Sequence, residues 1–149
     1  MIKFKITSSI QTKKIAKLLA QEIIKQKLFK NALVIILKGN LGAGKTTFVQ
    51  GFLRGLGVRK KITSPTFVIQ KNYKLRTTTY NKAIHIDCYR IRNAKEISEL
   101  GFKEIISDPK NIILIEWPER ISKILPKQKI QINFKHGKKE HERTIEIES

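Results

Sequence analysis

Apolar positions recur along the chain with two different periods, and the switches between them mark out its elements. Lys3 to Ile6 alternates as a short strand. Ser8, with Gln11 three residues on, has the form of a capping box. Ile15, Leu18, Leu19, Ile23 and Ile24 then fall at helical spacing and predict an amphipathic helix to about residue 27. Ala32 to Leu37 is an unbroken apolar run of strand length, the mark of a central strand covered on both faces. A glycine-rich turn spans 39–44, and Lys45 to about Leu56 reads as a helix ending near Gly57.

Thr63-Ser64-Pro65-Thr66 is a polar loop punctuated by proline, and Phe67-Val68-Ile69 after it is strand-like. Arg76 to Tyr80 reads as a turn into the alternating strand Ala83–Asp87. The stretch from Asn93 to about Phe102 predicts a helix with Glu96, Glu99 and Lys103 on its polar side. Ile112 to Ile115 is a second buried strand. Pro118 suits the first turn of a short helix that Pro126 stops. Ile130, Ile132 and Phe134, then Thr144 to Ile147, alternate on either side of a turn near His136-Gly137-Lys138, as a hairpin does. Helices interleaved with buried strands predict an α/β layer fold. There is no internal repeat or linker, and 149 residues suit one domain of roughly 100–150.

Composition sharpens this picture by exclusion. The longest apolar run is six residues, far below the roughly 20 of a membrane span. The N-terminus alternates and lacks the apolar core of a signal peptide. The single cysteine, Cys88, can make neither an internal disulfide nor a cysteine-based zinc site. The expectation is a soluble, cytoplasmic protein with no membrane partner. Lys and Arg number 31 against 12 Asp and Glu, a formal charge of +19. Of the basic residues 24 are Lys and only 7 Arg, while Ile occurs 25 times, a skew that genomic base composition alone can produce. The functional alternative is a surface that attracts polyanions such as RNA through counterion release. No zinc-finger spacing, Arg-rich arm or aromatic-interleaved RNA motif accompanies the charge, and no DNA partner is expected.

The sharpest chemical signal is Gly39-Asn40-Leu41-Gly42-Ala43-Gly44-Lys45-Thr46, which fits G-x-x-x-x-G-K-[ST] and stands between a buried strand and a helix, as its mechanism requires. Glycines let the backbone wrap a phosphate chain, and the N–H groups of 42–46 would face it at a helix N-terminus. Lys45 would reach the β/γ-phosphates and the Thr46 hydroxyl would ligate Mg²⁺. The acid that orients such a metal has two candidates, both ending predicted strands: Glu116, after Ile112–Ile115, and Asp87, after Ala83–Ile86. Glu116 is favoured for the metal, and Asp87 for a metal-bound or attacking water. Thr63 to Thr66 occupies the place of a nucleotide-sensing switch, although a hydroxyl-capped turn serves as well. Tyr89-Arg90 is open between a second switch and an ordinary ion pair with Glu96, Glu99 or Glu104. His85 and Trp117 are open between packing and the site, and Cys88 reads as a small buried hydrophobe.

These motifs, with His85-Ile86-Asp87-Cys88-Tyr89-Arg90 and Ile115-Glu116-Trp117-Pro118-Glu119, occur in the order and spacing of the TsaE family, formerly YjeE, and the chain resembles that family over its whole length. The resemblance implies a P-loop NTPase-like three-layer α/β/α sandwich with a mostly parallel central sheet and a C-terminal β-hairpin. It also implies a bacterial ATPase needed for N6-threonylcarbamoyladenosine at position 37 of tRNAs reading ANN codons. Such a protein does not transfer the group itself; it supports turnover of a TsaD–TsaB heterodimer, through which tRNA is met. Carried over by position, ATP would be held by Ser9, Leu41, Gly42, Ala43, Gly44, Lys45, Thr46, Thr47 and Thr66, and Mg²⁺ by Thr46 and Glu116. Lys45, Asp87 and Glu116 would be the catalytic set. The C-terminal hairpin near Gly137 would lie close to the nucleotide. Asn40 departs from the family's usual Asp, at a position that precedes the phosphate cradle, so nucleotide binding should be intact.

Two other classes compete. A small-molecule kinase would use the same P-loop, but the region after Glu116 has only Arg120 before the terminal strands and no Arg-bearing lid. A basic RNA-binding protein with a merely regulatory P-loop would bind tRNA tightly, with a steep salt slope and no ATP dependence.

Overall fold

The two unbroken apolar runs lie at the centre of the sheet in the computed structural model, which describes residues 1–65 and 69–149. They form β2 (Leu33–Lys38) and β5 (Asn111–Glu116), paired in parallel with Ile35 opposite Leu114. On either side lie β4 (Lys82–Asp87), parallel to β5, and β6 (Ile130–His136), parallel to β2. The edges are antiparallel: β3 (Gln70–Lys74) on β4, and β7 (Arg143–Glu148) on β6 with β1 (Ile2–Ile6) outside it. The order is β1-β7-β6-β2-β5-β4-β3, a seven-stranded sheet with a parallel centre and antiparallel margins.

Strand parity divides the core in two, because alternate side chains leave opposite faces. Leu33, Ile35 and Leu37 enter a cluster with residues of α1 (Ser9–Ile23) and α2 (Lys45–Gly55). Val34 and Ile36 enter another with Ile97 of α3 (Ala94–Ser98), Phe102 of α4 (Phe102–Ser107) and Ile121 of the 3-10 helix Pro118–Ile124. The result is the expected α/β/α sandwich. Helices α1 and α2 meet almost backbone to backbone: a Cβ on Gly51 would come within 2.6 Å of the Lys13 Cα and carbonyl oxygen. No helix among the described residues is long and apolar enough to cross a membrane.

Several local expectations change. At the start of α1 the Ser8 hydroxyl accepts the Gln11 N–H at 3.3 Å, while the Gln11 side chain reaches back to the Thr7 N–H at 2.7 Å. That helix stops at Ile23 rather than near residue 27, because Lys25 and Gln26 donate to the carbonyls of Glu22 and Ile23 and tighten the last turn. The helix expected from Asn93 to Phe102 is two helices, broken at Gly101, whose left-handed φ of 80° cannot continue an α-helix. The predicted strand residues Phe67 and Val68 lie outside the described residues. Ile69 is a bend with φ 67°, and the edge strand follows it at Gln70.

Candidate functional site

The parallel centre places the ends of β2, β4 and β5 at one rim, and the loop after β2 opens there into a cleft of about 290 Å³. Residues 41–47, Ser64, Asp87, Tyr89, Glu116 and Trp117 line it. The structure therefore brings together every predicted site residue but two. Ser9 lines an adjoining pocket of about 220 Å³ that shares Gly42, Gly44 and Thr47 with the cleft. Thr66 lies outside the described residues.

Gly42 and Gly44 have φ of 74° and 106°, so each needs a residue free of the left-handed penalty. A Cβ at either would meet no atom within 4 Å; the loop bends around open space, not around packed side chains. Gly44 is the N-cap of α2, so the first N–H groups of that helix face the cleft without a side-chain cap. The Lys45 ammonium donates to the Gly39 carbonyl and, at 3.2 Å, to the Asn40 carbonyl, and it sits 4.1 Å from the Trp117 ring centroid. Burial pushes the Lys45 amine below its usual value, opposed by the carboxylates of Glu116, Glu119 and Asp87. Asn40 contributes to the loop through its carbonyl, which also accepts the Ala43 N–H at 3.1 Å, and any residue supplies a carbonyl.

The acids stand side by side because β4 and β5 are in register, Asp87 opposite Glu116. Their environments differ. Glu116 Oε1 accepts from the Thr46 hydroxyl at 3.5 Å, and its Oε2 accepts from His85 Nε2 at 2.7 Å. The His85 and Glu116 side chains are 1% and 4% exposed. A carboxylate only accepts, so His85 donates through Nε2, and its Nδ1 has no partner among the described residues. Asp87 Oδ1 instead accepts the Tyr89 N–H at 2.9 Å, which fixes the chain as it leaves β4. His85, open in the sequence between packing and the site, is both buried and at the site: the strand parity that puts it beside Asp87 also puts it on Glu116.

Trp117 and Arg143 are the lining residues whose place is least legible in the sequence. Trp117 has a left-handed φ of 55°, a strained backbone that turns its ring over Lys45 and within 5.1 Å of the Tyr89 ring. Arg143 begins β7, lines the adjoining pocket with His141, and donates to the Gly42 carbonyl at 3.4 Å. It lies 101 positions from that glycine in sequence, and no local pattern marks the contact.

The oxygen set of Thr46 and Glu116 fits a hard divalent cation that takes one or two protein ligands and completes its shell from phosphate and water. Among the described residues no three His, Cys, Asp or Glu side chains converge as a metal cage. The open Gly42–Gly44 cradle fits a phosphate chain.

Comparison with known proteins places this geometry. The family model described as "Threonylcarbamoyl adenosine biosynthesis protein TsaE" matches residues 6–145. A protein of Rickettsia conorii named "tRNA threonylcarbamoyladenosine biosynthesis protein TsaE" is 39% identical over 130 residues, 87% of this chain and 68% of that one. The like-named protein of Bacillus subtilis is 37% identical over 136 residues, 91% and 78% of the two chains. A crystal structure of Bacillus subtilis YdiB superposes with a TM-score of 0.72 at 35% identity, covering 97% of this chain and 82% of that one. A family match over almost the whole sequence, with relatives similar across most of their own length, means that the chain belongs to the TsaE family of threonylcarbamoyladenosine biosynthesis proteins.

Proposed function

We propose that the chain is a Mg-ATP-binding P-loop ATPase that acts with a TsaD–TsaB heterodimer in threonylcarbamoyl modification of adenosine 37 in tRNAs reading ANN codons. The observation that carries the ATPase reading is the convergence of Lys45, Thr46 and Glu116 on one cleft beneath an open glycine cradle. Thr46 and Glu116 would hold magnesium, which when bound would supply positive charge against that developing on the phosphate. The residues of the chain do the rest. Backbone N–H groups of 42–46 hold the phosphates, and the Lys45 ammonium exchanges its carbonyl partners for phosphate oxygens. Thr46 and Glu116 offer the metal two oxygens, and Asp87 orients water from the neighbouring strand.

Slow turnover by the isolated chain follows from the charge balance of the cleft. Among the described residues that line it, Lys45 is the one cation. P-loop switches gain several orders of magnitude when a second cation arrives, often from a partner. A slow ATPase that a partner completes is the reading these features support.

The test is ATP hydrolysis by the purified chain, alone and with a TsaD–TsaB heterodimer, with Lys45→Ala as blank. The expected result is slow turnover alone, a rise with the heterodimer and none in the variant. Fast turnover indifferent to the heterodimer would refute the partnership, and undiminished turnover of Lys45→Ala would refute the site.

A further inference from the structure

The ATPase reading leaves the far side of the molecule unused, and its charge is one-sided. No Asp or Glu occurs between Glu22 and Asp87, a stretch that carries thirteen Lys and Arg. That stretch supplies α2 and the edge strand β3. Where α2 ends and β3 turns back toward β4, a groove of about 570 Å³ is lined by Arg59, Lys60, Lys74 and Arg76 over Leu56 and Val58. All four cations are exposed, and among the described residues none takes part in an ion pair. The turn beneath them is fixed by Arg54, which donates to the Val58 carbonyl at 2.7 Å, and the Lys60 ammonium sits 5.0 Å from the Tyr73 ring centroid. The eleven residues of α2 set the groove about 16 Å from the phosphate loop, so it is not part of the nucleotide cleft.

Base composition does not explain this cluster. A Lys-rich genome raises Lys everywhere, whereas Arg is scarce here, 7 residues in the chain. Two of those seven line the groove and a third builds its turn. Arg is the side chain whose planar fork matches phosphate oxygens two at a time.

We propose that this groove binds the phosphodiester backbone of RNA, as a sequence-independent clamp on the side away from the nucleotide. That the polyanion is RNA rests on the threonylcarbamoyladenosine reading above; that it is a polyanion rests on the groove. Contacts to about four phosphates would give a log–log salt slope of about −3 to −4.

The test is an anisotropy titration of the full chain with an unmodified tRNA transcript that reads an ANN codon, over a series of salt concentrations. Three proteins are compared: the natural chain, Arg59→Gln with Arg76→Gln, and Lys14→Gln with Lys127→Gln as a pair of exposed charges outside the groove. The groove pair should bind roughly tenfold more weakly and flatten the salt slope by about 2, with the control pair within about twofold of the natural chain. All substituted side chains are exposed, so thermal unfolding should be unchanged and confirms that each variant is folded. Equal losses in the two pairs would mean diffuse attraction and overturn the proposal, as would an unchanged affinity in the groove pair. RNA affinity retained while TsaD–TsaB association is lost would make the groove a protein-docking surface, and also overturns it. Hydrolysis is read in parallel: groove-dependent RNA binding without any ATPase activity sinks the ATPase reading alone, and the converse sinks this one alone.

Discussion

Of the contacts at the cleft, the His85–Glu116 pair has the most to lose from a single change. It is 2.7 Å long and joins side chains that are almost wholly buried. Replacing Glu116 by Ala would leave the ring of His85 with neither nitrogen partnered, since Nδ1 already has none among the described residues. An orphaned buried donor costs about 1–3 kcal/mol. For a chain of this size each kcal/mol lowers Tm by about 2–4 °C, so Glu116→Ala should lose several degrees. Glu116→Gln keeps the shape and an amide oxygen to accept from Nε2, and should cost less than about 1 kcal/mol. It nevertheless removes the charge that faces the Thr46 hydroxyl, so Mg²⁺-dependent hydrolysis should fall as far as in the alanine variant. The coupling is isolated by a thermal-unfolding cycle over the natural chain, His85→Ala, Glu116→Ala and the double variant, with an expected interaction of about 1–3 kcal/mol. Additive effects would refute the idea that His85 positions this carboxylate. Full Mg²⁺-dependent turnover in Glu116→Gln would refute the carboxylate's role at the metal, and loss of metal dependence in Asp87→Ala alone would exchange the two acids.

Three other outcomes are expected. Burial pushes the Cys88 thiol up to about 12, with the Asp87, Glu119 and Glu116 carboxylates adding to it; the folded chain holds that proton where an unfolded thiol, ordinarily near 9.0, releases it. Stability should therefore be complete below that ordinary value and decline as pH rises from it toward 12, with the buried Tyr73 and Tyr80 phenols acting in the same direction, and urea midpoints of Cys88→Ala should decline less steeply. Gly51→Ala should destabilise by about 2 kcal/mol in urea titration despite the better helix propensity of Ala, because the added carbon meets the Lys13 backbone, which no rotamer change can move aside. Trp117 is the only Trp and lies over Lys45, so Mg-ATP should change its emission in the natural chain and not in Lys45→Ala.

What the sequence discloses depends on whether the deciding physics is local. β2 and β5 are legible because both their faces are buried, which demands unbroken apolar runs. The glycine-rich loop before α2 is legible because its left-handed turns impose glycine at fixed spacing. By contrast, β3 has Tyr73 as its one buried residue and exists because β4 offers it an edge; Gln-Lys-Asn-Tyr-Lys carries no alternation to find. The break at Gly101 was readable in principle, since glycine inside a helical pattern is a stop signal. The pairing of His85 with Glu116 and of Arg143 with Gly42 came from register and topology, which join residues 31 and 101 positions apart. Individual motifs gave the members of the site; their arrangement needed the sheet.

The pairing of β1 with β7 sets a clock on biosynthesis. Ile2 lies opposite Ile147, so β1 must wait on the ribosome for β7. At about 5–20 residues per second that wait is roughly 7–30 s. Helices α1 and α2 can dock long before, and the glycine-rich loop between β2 and α2 can close with them. The Arg143 side of its neighbouring pocket cannot, because that wall is translated with β7. A copy abandoned before residue 143 would thus carry a recognisable glycine-rich loop open on one flank, and completion of the pocket beside it would report that translation had passed β7.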